Sequence, residues 1–494
     1  MFDRLRLQLL LSVLALLRRV LQSEPRLFAL LGGPRWQPLL AYIGRLKAYD
    51  AYIYARHKCP AYRKFLHNEL GSGGELLSDW SNIPVTTKEN YVRVYSIEER
   101  CHGGRIPVKG VVIDESSGSS GLPNSWVRGP IERASVKSMM QVSFSLAYPK
   151  EQFFILNCFA LGPWATGMNV TMALVDMGIM KSIGPDKAKL ENALRQFGAN
   201  YNYLIAGYPP FIKSFLDTTA LALGDYRLHL VVGGEGISEG LRQYFSQVFK
   251  SVVSSYGASD LEINIGTETQ LTIALRKMCH NNGELSKSLF GRRDPPMIFQ
   301  YNPLDYLIEV NAHGELIFTV ARRANAAPKI RYNLHDSGGV MEWATLRRNL
   351  AERGLDLPSL AERQTCFPIL YVYGRSDLSV PFFGAKIFPS NIELLIHRDA
   401  VLAASINSFQ IRNVEDSQFN RRLELHIELT QKAENSLKDA ELERLFYQGL
   451  CEVNQDFREI SRMLTPSQFR VIIHPYGAGP FADRDIRLKS KYIG

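Results

Sequence analysis

The chain has 494 residues, 46% hydrophobic and 22% charged, a soluble globular composition that excludes a disordered or fibrous protein. That length exceeds what one core holds and calls for two or three domains. The net charge of +9 fits an anionic ligand such as a nucleotide, or an anionic membrane surface; without a Lys/Arg block, nucleic acid is not an expected partner.

The N-terminal stretch MFDRLRLQLLLSVLALLRRVLQS holds an apolar run of about a dozen residues, too short to span a bilayer. Arg18 and Arg19 stand where a signal peptide would place small residues. Arg4, Gln8, Ser12, Arg19 and Gln22 recur at helical spacing, so residues 1–25 are predicted to form an amphipathic helix. Such a helix docks on the protein body, on a partner or peripherally on a membrane.

Residues 40 to 70 read as a second helical stretch. From 105 to about 340, short apolar runs such as QFFILNCF, YNYLIAG, LHLVVGG, SVVSSYG and GELIFTV alternate with helix-like segments, the pattern of α/β layers. No internal repeat is present. Residues 341 to 366 are polar and helical, and YVYGRSDLSV reads as a short strand ending in a turn. The last hundred residues run strand (RRLELHIEL), charged helix, strand (FRVIIHP), a small α+β unit. The expected architecture is a large multilayer α/β domain over 1–377 and a small mobile α+β lid domain over 378–494.

The six cysteines, at 59, 101, 158, 279, 366 and 451, show no CxxC spacing, which favours reduced thiols and a cytoplasmic location. Cys279-His280 has no second ligand pair and is a weak zinc signal.

Between 114 and 129 the chain reads DESSGSSGLPNSWVRG. Successive backbone N–H groups and the hydroxyls of Ser119 and Ser120 suit an anion, and Gly118 and Gly121 let a phosphate approach the backbone. It is not a Walker loop, since GxxxxGK[ST] is absent. Alone, the segment is equally a surface turn. Downstream stand VVGGEGIS (231–238), SSYGASD (254–260), PKIRYNLHDSGG (328–339), YGRSDLSVPFFGAKIFPSNIE (373–393) and the closing RLKSKYIG.

In that order and spacing, these segments resemble the adenylate-forming acyl-CoA synthetase superfamily, and within it the phenylacetate–CoA ligase-like branch. The resemblance runs from ARHKCPAYR near residue 55 to the last residues and includes AGYPP (206–210). It implies activation of an aryl or fatty carboxylic acid with ATP and Mg²⁺ to an acyl-adenylate, then transfer of the acyl group to a thiol, with CoA the expected acceptor. Chains that stop at adenylation, or pass the acyl group to a carrier protein or an amine, share the same ATP motifs. A catalytically weakened nucleotide-binding or membrane-associated scaffold is the reading from another class. No GxSxG is present, so acyl hydrolysis is not supported.

Residue by residue, the resemblance makes Ser117, Gly118, Ser119, Ser120 and Gly121 the phosphate loop, with Leu122 where relatives carry a lysine. Gly233, Gly234 and Glu235 match the adenine-contacting segment, Tyr256 and Gly257 the stretch that packs on adenine, and Asp260 a glutamate that helps hold Mg²⁺. Asp336 matches the ribose-chelating aspartate, with Leu334-His335 replacing a threonine-glycine pair. Arg375 matches an arginine contacting ribose and phosphate, and Asp377 lies at the hinge. Lys489, with Lys491 as near competitor, matches the mobile catalytic lysine of the tail. Phe159, Trp164 and Tyr208 match the walls of the acid pocket.

Overall fold

The computed structural model describes residues 32–71, 79–116, 124–148, 151–355, 365–375, 379–430 and 438–482. The amphipathic segment 1–25, the loop 117–123, Asp377, Lys489 and Lys491 therefore lie outside the described residues. Among the described residues no helix is long and apolar enough to cross a membrane.

Helix α1 (Gln37–Lys58) ends where Cys59 is extended, and Pro60 opens α2 (Pro60–Leu70). A proline at the first helical position loses no hydrogen bond, so the break sits where the sequence puts it. Strands β1 (Val112–Ser116) and β2 (Asn124–Arg128) form an antiparallel hairpin around the serine-glycine loop, with Ser116 opposite Asn124.

The main body follows. Helix α3 (Pro130–Ala147), β3 (Phe153–Asn157), α4 (Ala165–Leu174), β4 (Gly178–Ser182), α5 (Lys187–Phe197), β5 (Asn202–Gly207), α6 (Pro209–Thr218), β6 (Arg227–Gly233), α7 (Glu239–Phe245) and β7 (Val252–Tyr256) alternate along the chain. These five strands pair in parallel in the order β4-β3-β5-β6-β7. Strand β3 is FFILN and buried throughout, as a parallel strand covered on both faces must be. Phe153, Ile155, Leu204 and Ala206 pack with Phe144 of α3 and Val170 and Leu174 of α4. The alternate residues Phe154, Leu156, Tyr203 and Ile205 pack against α5, α6 and α7. The two-residue period of the strand thus divides the helices into two layers.

The strict alternation stops at β7. Strand β8 (Gly266–Thr267) turns antiparallel. After α8 (Gln270–Asn281) and α9 (Gly283–Phe290) come β9 (Met297–Tyr301), β10 (Tyr306–Val310), β11 (Glu315–Val320), β12 (Tyr332–Met341), α10 (Trp343–Ala351) and β13 (Ile369–Arg375). Their pairings with one another are antiparallel. The sheet is mixed, eleven strands in the order β10-β11-β12-β13-β9-β8-β7-β6-β5-β3-β4 among the described residues.

Residues from Val380 to Val471 build their own hydrophobic core. It holds the hairpin β14 (Val380–Phe382) and β15 (Ala385–Ile387), helices α11 (Pro389–Arg398) and α12 (Ala400–Ser405), then β16 (Ile406–Glu415), β17 (Arg421–Leu429), α13 (Asp439–Val453), α14 (Gln455–Ser461) and β18 (Phe469–His474). The charged segment expected as one helix is two. Asn454 is extended between them, and its side chain accepts from Phe457 N at 2.9 Å while donating to Lys386 O at 2.8 Å. That interruption ties α13 and α14 to the β15 strand.

Candidate functional site

The C-terminal ends of β6 and β7 and the middle of β12 converge on one region. Such sites lie outside the carboxyl ends of parallel strands, where helices and loops diverge. Tyr256 closes β7, and its hydroxyl donates to Asp336 Oδ2 at 2.5 Å. Its ring lies 5.7 Å from Phe299 and 6.2 Å from Phe318, which fixes the aromatic plane. Asp336 is 7% exposed and sits directly across from Arg375, the last residue of β13, in the β12–β13 register. A half-buried ring, a carboxylate beside it and an arginine on the adjoining strand fit a purine nucleoside with its two ribose hydroxyls.

His335, which replaces the glycine of relatives, has φ +62°. That left-handed conformation costs a non-glycine residue roughly 1–2 kcal/mol. Asn333 Oδ1 accepts from His335 N at 2.7 Å, and Glu315 Oε1 lies 3.2 Å from its Nδ1. The two side chains hold in place, next to Asp336, a turn that a glycine would make freely.

Gly233 ends β6 and Gly234 follows it. Gly234 has φ +81°, and a Cβ there would lie 2.7 Å from Cε1 of Tyr208, so the residue is forced by both conformation and contact. A Cβ on Gly257 would meet Asn264 N at 2.7 Å and Ile263 Cα at 2.8 Å. The Glu235 carboxylate turns away to the C-terminal core. It pairs with Arg421 Nη1 at 2.5 Å and accepts from Gly384 N. Burial pushes its carboxyl above the usual range, against the opposing pull of Arg421. Its side chain thus serves the contact between the two cores.

Asp260 is 1% exposed, with Lys88 Nζ at 3.0 Å and the Tyr332 hydroxyl at 3.3 Å, both at its Oδ2. A lysine ammonium thus stands at the carboxylate expected to help hold Mg²⁺, and this pairing would have to open for a metal to use that oxygen. Among the described residues no group of three or more His, Cys, Asp or Glu is arranged to hold a metal. Lys88 was not singled out in the sequence. The one local signal is TTKEN, where Thr87 and Asn90 form a reciprocal capping box around it.

A second feature was also missed. Arg128, at the end of β2, donates to Asp114 at 3.0 Å and Glu132 at 2.8 Å, and to the carbonyls of Ser259 and Leu261. Lys329 joins Glu132 at 2.9 Å. This buried network fastens the hairpin carrying the serine-glycine loop to the two residues flanking Asp260. Burying such ions is costly, and each is compensated here by a partner.

Beside the strand ends opens an apolar cavity of about 120 Å³. Gly233, Gly234, Gly257, Phe159, Met140, Val170 and Leu174 are among the residues that line it. Of the three expected pocket walls, Phe159 lines the cavity. Tyr208 and Trp164 do not: Tyr208 packs edge-on against Phe159 at 5.1 Å and between Gly234 and Gly384. Trp164 caps the start of α4 and bridges to Glu115 of the hairpin.

No known family profile matches the chain, and no curated protein sequence matches it. Solved structures do. The chain is similar to 2-hydroxyisobutyryl-CoA ligase in complex with 2-HIB-AMP and CoA in the thioesterification state, with TM-score 0.62 at 13% identity over 93% of this chain and 90% of that one. The same ligase in the postadenylation state with 2-HIB-AMP gives 0.52 at 12% identity over the same shares. Its open conformation gives 0.50 at 14% identity over 93% and 91%. The chain therefore has the fold of an AMP-forming acyl-CoA ligase.

Proposed function

We propose that this chain is an adenylate-forming carboxylic acid ligase that activates an apolar acid with ATP and passes the acyl group to CoA. The observation that carries the reading is a juxtaposition. The Tyr256–Asp336 pair, suited to a nucleoside, closes β7 one residue before Gly257, which lines the apolar cavity suited to an acid. An acid in the cavity would present its carboxylate where a nucleotide held by Asp336 presents its α-phosphate. Holding both reactants in one geometry is most of what such a reaction requires.

In this reading, Tyr256 orients the Asp336 carboxylate, which accepts the two ribose hydroxyls, and Arg375 neutralises phosphate charge from the adjoining strand. The loop of Ser117, Gly118, Ser119, Ser120 and Gly121 grips the terminal phosphates, clamped at its base by Arg128. Lys489 enters with residues 378–494, which move about Asp377 relative to 1–377, and neutralises the charge that develops as the acyl–phosphate bond forms. The divalent metal accompanies the triphosphate, and no protein ligand is assigned to it. The phenylacetate–CoA ligase-like branch is the closer kinship we favour, on AGYPP and ARHKCPAYR. The six cysteines are free thiols, which supports a cytoplasmic site of action, with residues 1–25 as a peripheral membrane contact. An acyl carrier protein is the alternative acceptor.

The test is acid-dependent exchange of labelled pyrophosphate into ATP, followed by CoA consumption. Exchange with CoA-dependent release of AMP is expected. Exchange without CoA consumption would restrict the chain to adenylation or to another acceptor. No exchange across a broad acid panel would leave a nucleotide-binding scaffold.

A further inference from the structure

In a parallel sheet both faces are covered, and central strands are buried throughout. Val231 of β6 and Val253 of β7 break that rule: both sit in the middle of the sheet and both remain half-buried. The gap above them is the cavity between the sheet and helices α3 and α4. Its shape is set by regular elements. Val253, Ser255 and Gly257 line it at alternating positions, and Met140, Phe144 and Ala147 line it along one face of α3. Those spans measure about 13 Å along the strand and about 10 Å along the helix.

The cavity is lined from the strand ends at Gly233 and Gly257 to Tyr148, beside the start of the strands. The Tyr148 ring lies 4.9 Å from Phe153 and 5.4 Å from His229, and its hydroxyl is 2.9 Å from Ser251 Oγ, itself 2.8 Å from His229 Nδ1. Tyr148 is 8% exposed, so this end wall is packed from behind.

The chemistry of the lining is uniform. None of the residues that line the cavity is charged. Part of its polar lining is internally bonded: Ser255 and Thr267 both donate to Asn264 Oδ1, at 2.9 and 2.8 Å. A second carboxylate or an amine inside this space would be desolvated with no counter-charge.

Resting on the ligase reading above, we infer that the acid is an elongated monocarboxylic acid with an uncharged chain, of the medium-chain fatty class. Its chain lies along β6 and β7, and Tyr148 sets its length limit. An extended chain advances about 1.2 Å per bond, so a span of about 10–13 Å corresponds to about eight to eleven bonds of chain.

The experiment is pyrophosphate exchange with straight-chain saturated acids from about two to about sixteen carbons, alongside α,ω-dicarboxylic acids of matching length. Each added methylene should raise kcat/KM about three- to fourfold up to the limit and lower it beyond. The dicarboxylic acids should be poorer by more than roughly a hundredfold. Tyr148→Ala should move the optimum at least two carbons longer. Val231→Phe, which fills the channel without touching the end wall, should move it shorter and keeps the test open if Tyr148→Ala fails to fold. Exchange that is strongest with short or doubly charged acids overturns the inference, as does an optimum unmoved in both variants. No exchange with any acid, together with no ATP binding, would instead overturn the ligase reading itself.

Discussion

Glu235 at the foot of β6 and Arg421 at the start of β17 lie 186 residues apart and meet at 2.5 Å, joining two separate hydrophobic cores. Arg421 also reaches Gly236 O at 2.9 Å and Glu415 at 3.2 Å, and Ser238 donates to Glu415 at 2.8 Å. The Glu235 side chain is 1% exposed, so the pair is sealed between the cores and held by more than one contact.

Removing one partner of a buried pair leaves an uncompensated charge, which here is relieved by separation of the cores. Arg421→Ala should therefore give a more extended particle in small-angle scattering. Acyl transfer to CoA should slow by about tenfold, the scale of a typical coupling between states, with pyrophosphate exchange nearly unchanged. If both half-reactions fall together, the pair is structural only.

Asp336→Ala should weaken ATP binding by about ten- to a hundredfold, since it removes two charge-assisted hydrogen bonds. The melting temperature should move little. Tyr256→Phe removes only the orienting hydroxyl and should cost less. Calorimetric titration checks both, and parental ATP affinity in Asp336→Ala would take this carboxylate out of the site.

Gly234→Ala combines a left-handed φ with a Cβ 2.7 Å from the Tyr208 ring. We expect a loss of roughly 1–3 kcal/mol from conformation and contact together. Adding Tyr208→Ala should recover the contact part and leave the conformational part. Thermal denaturation of the two single variants and the double would measure the split, and strict additivity would deny the contact.

Burial lowers the His102 pKa from 6.5 to about 4, against the opposing hydrogen bond to the Arg323 carbonyl, and the Arg323 guanidinium adds a smaller lowering. The Arg323 carbonyl lies 3.2 Å from its Nε2. The unfolded chain binds a proton between those values and the folded chain does not, so stability is lost as pH falls from about 6.5 toward about 4. The slope from one such group is at most about 1.4 kcal/mol per pH unit. His102→Gln should flatten the melting temperature across that window, and an unchanged slope would assign acid sensitivity elsewhere.

For the tail, Lys489→Ala should reduce adenylation by about 10²–10³-fold, as for loss of one positioned charge, while pre-formed acyl-adenylate still transfers to CoA at near-parental speed. A defect confined to Lys491→Ala would exchange the two lysines. Equal damage to both half-reactions would make the tail structural.

Much of this was legible in the chain. Apolar runs such as QFFILNCF and YNYLIAG fold as the strands read from them, because a parallel strand buried on both faces must be nearly all apolar. In the small C-terminal unit, RRLELHIEL was legible instead from its alternation of apolar and polar residues, and FRVIIHP from its apolar run. Strands β8 and β12 were not foreseen. One is two residues long, and the other is rich in Gly, Asn and Asp, where propensity gives no strand signal. The segment expected as a single charged helix breaks at Asn454, which caps α14 through Phe457 N while its amide donates to Lys386 O and Asn391 Oδ1, more than sixty positions away.

By itself the sequence determined the order of the elements, the glycines forced at the strand ends, and the placement of a tyrosine and an aspartate on motifs that resemble a nucleotide site. Only the tertiary structure decided which of these side chains meet. Asp260 pairs with Lys88, Tyr208 fills a notch between two glycines, and Glu235 bonds to the other core. The reason is that pattern and propensity act over a few residues, whereas the Asp260–Lys88, Tyr208–Gly384 and Glu235–Arg421 contacts join residues more than a hundred positions apart.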